Sequence, residues 1–171
     1  MIRPDDFREA MQRFAGPVTA ITTMEDGVPR GLMATAVTSL SAEPPSLVVC
    51  INKSASAHDA ILRQGFLGVS VLPDTLMAFA SHFARAKGAD RFEGALWCFQ
   101  ETGAPLLAGA SVAFDCRIAD THDGYSHTIV VAVIHDILLP NDNADRCLLW
   151  HRKGFVKVSP QETEVAATSS L

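Results

Sequence analysis

Apolar and polar positions along this chain recur in two rhythms. Phe7, Ala10, Met11 and Phe14 fall at i, i+3, i+4 and i+7 behind Asp5-Asp6, the spacing of a short amphipathic helix. Asp caps it, Glu9 closes a capping box, and Gly16-Pro17 ends it. Val18 to Thr23 is β-branched and predicts a strand. Asp26-Gly27 is a hairpin signal, followed by a second strand over about Arg30 to Thr38. Pro44-Pro45 breaks the chain before Ser46 to Ile51, a strand buried on both faces. A helix over Ala57 to Arg63 stops at Gly65, and a fourth strand covers Phe66 to Leu72. Pro73-Asp74 opens a helix carrying Leu76, Met77, Phe79, Ala80 and Phe83. Residues 84–105 read as a glycine-punctuated loop with a short turn or strand near Arg91-Phe92 and Trp97. Ser111 to Ile118 is a fifth strand, Asp123-Gly124 a turn, and Tyr125 to Leu138 a long strand. Leu148 to Phe155 adds a last element, and residues 160–171 read as a flexible tail.

Strands outnumber helices and several are joined by short turns. Ile129 to Ile134 is apolar at both parities, so it needs cover on both faces, as in a closed barrel packed by a helix or a second subunit. The expectation is a mainly β fold, a barrel with flanking helices, in one domain over residues 1–171 with its core at about 5–158.

Composition narrows the class. With 48% hydrophobic and 19% charged residues, the chain is not of the disordered type. A net charge of -5 removes a chain-wide basic footprint, so no nucleic-acid partner is expected. No apolar run reaches the length of a membrane span, and the polar, acidic start has no targeting segment behind it. Cys50, Cys98, Cys116 and Cys147 form no C-x-x-C pair, which speaks against structural zinc. The expected location is cytoplasmic, with free thiols.

Three stretches could carry chemistry. Ala34-Thr35-Ala36-Val37-Thr38-Ser39-Leu40-Ser41 combines small side chains with hydroxyls, which suits close approach of a flavin edge or a phosphate; it reads equally as a hydroxyl-rich strand end. Asn52-Lys53-Ser54-Ala55-Ser56 lies between a buried strand and a helix, a fit cradle for phosphate or an ordinary polar loop with a Ser cap. His127 enters the long strand after a glycine turn, either as a satisfied core histidine or at the mouth of a site. His122 and His127 are an odd number of residues apart and cannot chelate from one strand face, so no metal is expected. G-x-G-x-x-G, the P-loop and the G-x-S-x-G elbow are absent.

In chain order, Phe7-Arg8-Glu9-Ala10-Met11, Gly16-Pro17-Val18-Thr19, Gly31 to Ser41, Pro44 to Asn52, His82-Phe83-Ala84, Arg91-Phe92, Gly103 to Leu106 and His127 resemble the flavin reductase family of the FMN-binding split barrel. Within it the pattern is similar to the reductase components of 4-hydroxyphenylacetate 3-monooxygenase-type two-component systems. The resemblance implies that Ala34, Thr35, Ala36, Ser39 and Leu40 line the isoalloxazine and ribityl chain. It implies that Asn52, Lys53, Ser54 and Ser56 hold phosphate, that Phe83 and His127 lie near the ring, and that Arg91 is a further anion contact. Ser126 stands where the family often has Asp.

The implied reaction passes hydride from NADH or NADPH to FMN or FAD. The cofactor supplies the chemistry and the protein the alignment, with His127 as the catalytic residue and no acid, base or nucleophile otherwise demanded. The resemblance also implies a homodimer, and a flavin-dependent monooxygenase that receives reduced flavin by diffusion. A non-catalytic flavin carrier of the same fold is the rival from another class. A pyridoxamine-phosphate-oxidase-type barrel would need a cluster of basic residues that the sequence does not display as a run.

Overall fold

The computed structural model describes residues 2–140 and 146–158; the tail expected over 160–171 lies outside them. Helix α1 (Pro4–Met11) leads into a two-residue strand β1 (Gly16–Pro17) and strands β2 (Thr19–Glu25), β3 (Val28–Ala34), β4 (Val37–Ala42) and β5 (Pro45–Asn52). Helix α2 (His58–Gln64), β6 (Phe66–Val71) and α3 (Met77–Arg85) follow. After a 3₁₀ turn over Gly88–Phe92 come β7 (Trp97–Phe99), β8 (Pro105–Leu107), β9 (Val112–Gly124), β10 (His127–Leu138), β11 (Cys147–His151) and β12 (Gly154–Val158). Among the described residues no helix is long and apolar enough to cross a membrane.

Seven strands form one sheet in the order β3-β2-β6-β9-β10-β5-β4, each neighbouring pair antiparallel. Strands β3 and β4 stand at opposite edges, yet only Thr35 and Ala36 separate them in the chain. Three steps of chain reach at most about 11 Å, so the sheet curls until its two edges nearly meet. Ala34 pairs with Thr19 on β2, whereas the Ala36 carbonyl accepts the Cys50 N–H of β5 at 3.0 Å. The chain therefore changes partners at Thr35, and the barrel is split there. This is the mainly β barrel with flanking helices that the strand pattern predicts.

The barrel interior is filled by Ile21, Val49, Ile51, Leu67, Val69 and Val130, all fully enclosed, and α2 closes one end with Ala57 and Ile61. A second cluster joins α3 to the small sheet β1-β11-β12 through Val18, Leu72, Phe79, Phe83, Leu106 and Leu148. Gly65 ends α2 as expected, at φ 71°, donating its N–H to the Ile61 carbonyl; this left-handed position favours glycine.

Several local expectations are corrected. Helix α1 ends at Met11, because Arg13 and Phe14 bond back to Ala10 and Met11 in a tighter turn and leave Phe14 exposed. Pro4 occupies its first position and Arg3 its cap, with no side-chain cap bond. The second strand breaks into β3 and β4. Strand β9 runs through Asp123-Gly124, and the hairpin turn is Tyr125-Ser126, with Tyr125 at φ 62°. Leu148 to Phe155 folds as the hairpin β11–β12. Strands β5 and β10 are fully buried along the inward face, whereas Val48, Cys50, Ile129, Val131 and Val133 on the outward face are half-buried.

Candidate active site

A cleft of about 420 Å³ opens where β3, the loop before α2 and the segment after α3 converge. Its lining is Arg30 and Gly31 from β3, Ser54, Ser56 and Ala57 from the loop, and Lys87, Gly88 and Arg91 from the segment following α3. Three cations and two hydroxyls therefore meet in one concavity of a chain whose net charge is negative.

The floor is aromatic. A Cβ at Gly31 would come within 2.8 Å of Phe83 Cζ and 3.1 Å of Phe92 Cζ, so the strand can lie on these rings only without a side chain. Phe83 and Phe92 pack edge to face with centroids 5.4 Å apart, and Trp97 lies 4.9 Å from Phe92. Arg91 is held above this floor. Its guanidinium carbon is 5.5 Å from the Phe83 centroid, and Nη1 donates to the Phe83 carbonyl at 2.5 Å. Burial pulls the Arg91 pKa down from its ordinary value, yet an arginine stays protonated in a protein. Both of these partners leave its positive charge unneutralised. Arg30 shares Glu25 at 3.2 Å with Arg63 at 2.6 Å; the hydrogen bond from Arg63 is the main cause holding the Glu25 carboxyl below its usual range.

The loop is shaped from within. Asn52 Oδ1 accepts both the N–H and the O–H of Ser54 at 2.8 Å, an Asx turn. The Ala55 N–H bonds the Asn52 carbonyl at 3.0 Å, and His58 N–H that of Ala55 at 3.0 Å. Lys53 points elsewhere. Its N–H donates to the Ser126 carbonyl at 3.0 Å, and its ammonium pairs with Asp123. That hydrogen bond is the main cause lowering the Asp123 pKa. Lys53 ties the loop to the β9–β10 hairpin, and the charge in the cleft comes from Arg30, Lys87 and Arg91.

His127 starts β10 directly opposite Asn52 of β5. It is half-buried, and Nδ1 lies 2.9 Å from Ser126 Oγ. The serine thus gives the ring a hydrogen-bonding neighbour of its own. Ala34 and Thr35 line a second, apolar cavity of about 230 Å³ with Met33, Ala84, Trp150 and Phe155. Ala36, Ser39 and Leu40 are exposed and line neither cavity. Phe83 has no accessible surface; it lies beneath Gly31 and Arg91 and lines neither cavity. A larger open groove, about 520 Å³, runs between α1 and the β11–β12 turn. Its acidic and basic groups are mixed, and no hydroxyl side chain lines it.

Ser54, Ser56 and Arg91 are thus brought together, with Asn52, Lys53 and His127 beside them. Arg30 and Lys87 are the additions. No sequence signal marks them: Lys87 is a single cation four residues before Arg91, and Arg30 joins the two only through the fold.

The family model for the flavin reductase like domain matches residues 11–159. The chain is 44% identical over 129 residues to FMN reductase (NADH) RutF 2 of Methylorubrum extorquens (strain PA1), covering 75% of each protein. It is 32% identical over 162 residues to the reductase subunit HsaB of a flavin-dependent monooxygenase from Rhodococcus jostii (strain RHA1), covering 95% of this chain and 82% of that one. Among solved structures, the NADH:FAD oxidoreductase SgcE6 of Streptomyces globisporus, in complex with NAD and FAD fragments, superposes with a TM-score of 0.84 at 29% identity. The match covers 95% of this chain and 99% of that chain.

Proposed function

Because this chain belongs to the flavin reductase family, we propose that it reduces FMN with NADH and releases the product to a flavin-dependent monooxygenase. The observation that carries the FMN reading is the cleft: Arg30, Lys87 and Arg91 converge with Ser54 and Ser56, a donor set suited to a terminal phosphate. The preference for NADH and FMN draws support from relatives named as FMN reductases using NADH. The flavin, when bound, accepts hydride from the nicotinamide.

The chain's own residues bind, orient and exclude water. Ser56 donates a hydrogen bond to a phosphate oxygen, Ser54 does so once its O–H turns from Asn52 Oδ1, and the three cations balance the phosphate charge. Thr35 and Ala36, at the split between β3 and β4, offer small side chains and backbone N–H groups to the ring system. Donors aimed at a position where negative charge accumulates act in a partly dry site at little reorganisation cost. His127, steadied by Ser126, aligns the nicotinamide. Reacting atoms must sit within roughly 3–3.5 Å, so alignment supplies most of the rate. The carrier reading rested on Ser126 in place of Asp, and Ser126 lies within bonding distance of His127 at 2.9 Å.

The working unit in this reading is a homodimer. Its support is the outward face of β5 and β10, where Val48, Cys50, Ile129, Val131 and Val133 are uncharged and only half-buried. Strand β4 beside them is an exposed edge of six residues without a charge, a feature that proteins rarely leave uncovered.

The test mixes purified protein with FMN or FAD and each nicotinamide under air, following absorbance of the reduced nicotinamide. Many turnovers per protein with NADH and FMN support the proposal. Flavin binding with no oxidation of either nicotinamide would sink it and promote the carrier. Coupling to an oxygenase across a dialysis membrane tests diffusive transfer, and light scattering tests the dimer.

A further inference from the structure

His58 is a buried histidine that the reaction above does not use. It is the first residue of α2, directly behind Ser54, Ser56 and Ala57, and only 7% of its surface is exposed. Both ring nitrogens are engaged. Nδ1 lies 2.7 Å from Asp59 Oδ1, and Nε2 lies 2.8 Å from Thr128 Oγ1. An ionised carboxylate can only accept, so Nδ1 carries a hydrogen and donates to Asp59. In the neutral ring Nε2 then accepts the Thr128 O–H; in the charged ring it donates to Thr128 Oγ1. The contact survives either state.

Asp, His and a hydroxyl in series have the connectivity of a nucleophilic triad. The placement excludes that use here. Thr128 is 7% exposed, its backbone lies in the middle of the sheet between Ile51 and Asp123, and His58 is itself buried at the start of the helix that closes the barrel. A substrate carbonyl cannot reach the hydroxyl.

What the contact does is mechanical. Thr128 is the neighbour of His127 on β10, and adjacent residues of a strand face opposite ways. His58 therefore grips the inward side of the strand whose next residue is the outward His127. The loop between β5 and α2 is fastened at its start by the Lys53 N–H on the Ser126 carbonyl and by the Lys53–Asp123 ion pair. Its end is fastened by His58 on Thr128. Ser54, Ser56 and Ala57, which line the cleft, hang between these tethers.

We propose that His58 is a positioning residue of the flavin site: through Thr128 it locks the loop bearing Ser54 and Ser56 to the strand bearing His127, and so sets the affinity for the flavin phosphate. This rests on the reading that the cleft takes that phosphate. The discriminating probe is riboflavin, which has the ring and ribityl chain of FMN without the phosphate. A residue that matters only for general integrity weakens both ligands; a clamp on the phosphate loop weakens FMN alone.

His58→Phe keeps the ring volume and removes both hydrogen bonds. It raises the FMN Kd about five- to thirty-fold, the size of one buried hydrogen bond lost, while the riboflavin Kd and the kcat at saturating FMN stay within about two-fold of wild type. His58→Gln, which can still reach Thr128, recovers most of the affinity. Thr128→Val repeats the loss, Thr128→Ser does not, and the double variant His58→Phe/Thr128→Val is no worse than either single one, because the pair acts as a unit. Should His58→Phe fail to fold, the Thr128→Val and Thr128→Ser pair carries the test alone. Equal weakening of FMN and riboflavin, or strictly additive losses, overturns the proposal while leaving the phosphate cleft standing. If wild-type protein itself binds FMN no tighter than riboflavin, the cleft reading falls and the role of His58 falls with it.

Discussion

Arg91 offers the sharpest trial of the cleft. Replacing it with Met keeps an unbranched, polarizable side chain over the Phe83 ring and removes the guanidinium. Two losses can be separated in advance. The first is to the fold: a cation–π contact at 5.5 Å and one hydrogen bond to the Phe83 carbonyl. Part is returned by Met packing on the aromatic face, which leaves about 1 kcal/mol. For a chain of this size that lowers Tm by about 2–4 °C. The second is to the ligand. A hydrogen bond from a charged donor contributes about 1.5–3 kcal/mol. Half-burial of Arg91 and its competing bond to the Phe83 carbonyl favour the lower part, about 2 kcal/mol, or roughly a thirty-fold rise in the FMN Kd. The assay is quenching of FMN fluorescence at two salt concentrations. Wild-type affinity falls with added salt because the cleft charges are partly exposed, and Arg91→Met shows a shallower fall. A Kd within two-fold of wild type, with unchanged salt dependence, would refute the assignment of Arg91 to phosphate.

Three further outcomes are expected. His127→Ala slows hydride transfer in stopped-flow reduction more than it weakens flavin binding; equal rates for variant and wild type would remove the aligning role. Gly68→Ala destabilises the barrel by about 2 kcal/mol or more, because its Cβ would fall 2.6 Å from Thr22 Oγ1 and 2.7 Å from the Pro105 carbonyl; denaturant melts with an unshifted midpoint would contradict this. Lys53 holds the Asp123 pKa low, so their tether is present above the ordinary aspartate pKa near pH 4 and lost as pH falls through the lowered value. Asp123→Asn accordingly flattens the acid limb of the thermal stability profile, and an unchanged limb argues against the tether.

Much of the architecture is legible in the residues. Asp26-Gly27 marks a hairpin whose two residues do take positive φ, and Gly65 ends α2 in the left-handed region. Other features were set by partners far away in the chain. Nothing in Ala34-Thr35-Ala36-Val37 marks a strand break, since every residue there suits a strand; the break exists because β2 ends as a neighbour and β5 begins. Asp123-Gly124 has the composition of a turn, yet it lies in β9 because Thr128 and Val130 must face inward, and that register carries the hairpin two residues further. For the site, Ser54, Ser56 and Arg91 were readable because each belongs to a recognisable local stretch. Arg30 and Lys87 were not, being single cations that only barrel closure and the turn after α3 bring together. Phe83 lies beneath Gly31 with no accessible surface, and a helix pattern says that a phenylalanine faces inward, not whether a glycine strand covers it.

The partner change at Thr35 has a consequence for how the protein breathes. A barrel whose seam is bridged by two residues can loosen locally without unfolding, and amide hydrogens around Thr35 to Val37 report each such opening. A ligand that rests on both sides of the seam binds the closed form alone. At a hundred times its Kd it deepens that form by about 2.7 kcal/mol, which slows exchange at the seam roughly a hundred-fold while amides of the distant β11–β12 hairpin are left nearly as they were. Flavin occupancy would then be written into the exchange map as a stripe along the join, and each departure of the product would briefly erase it.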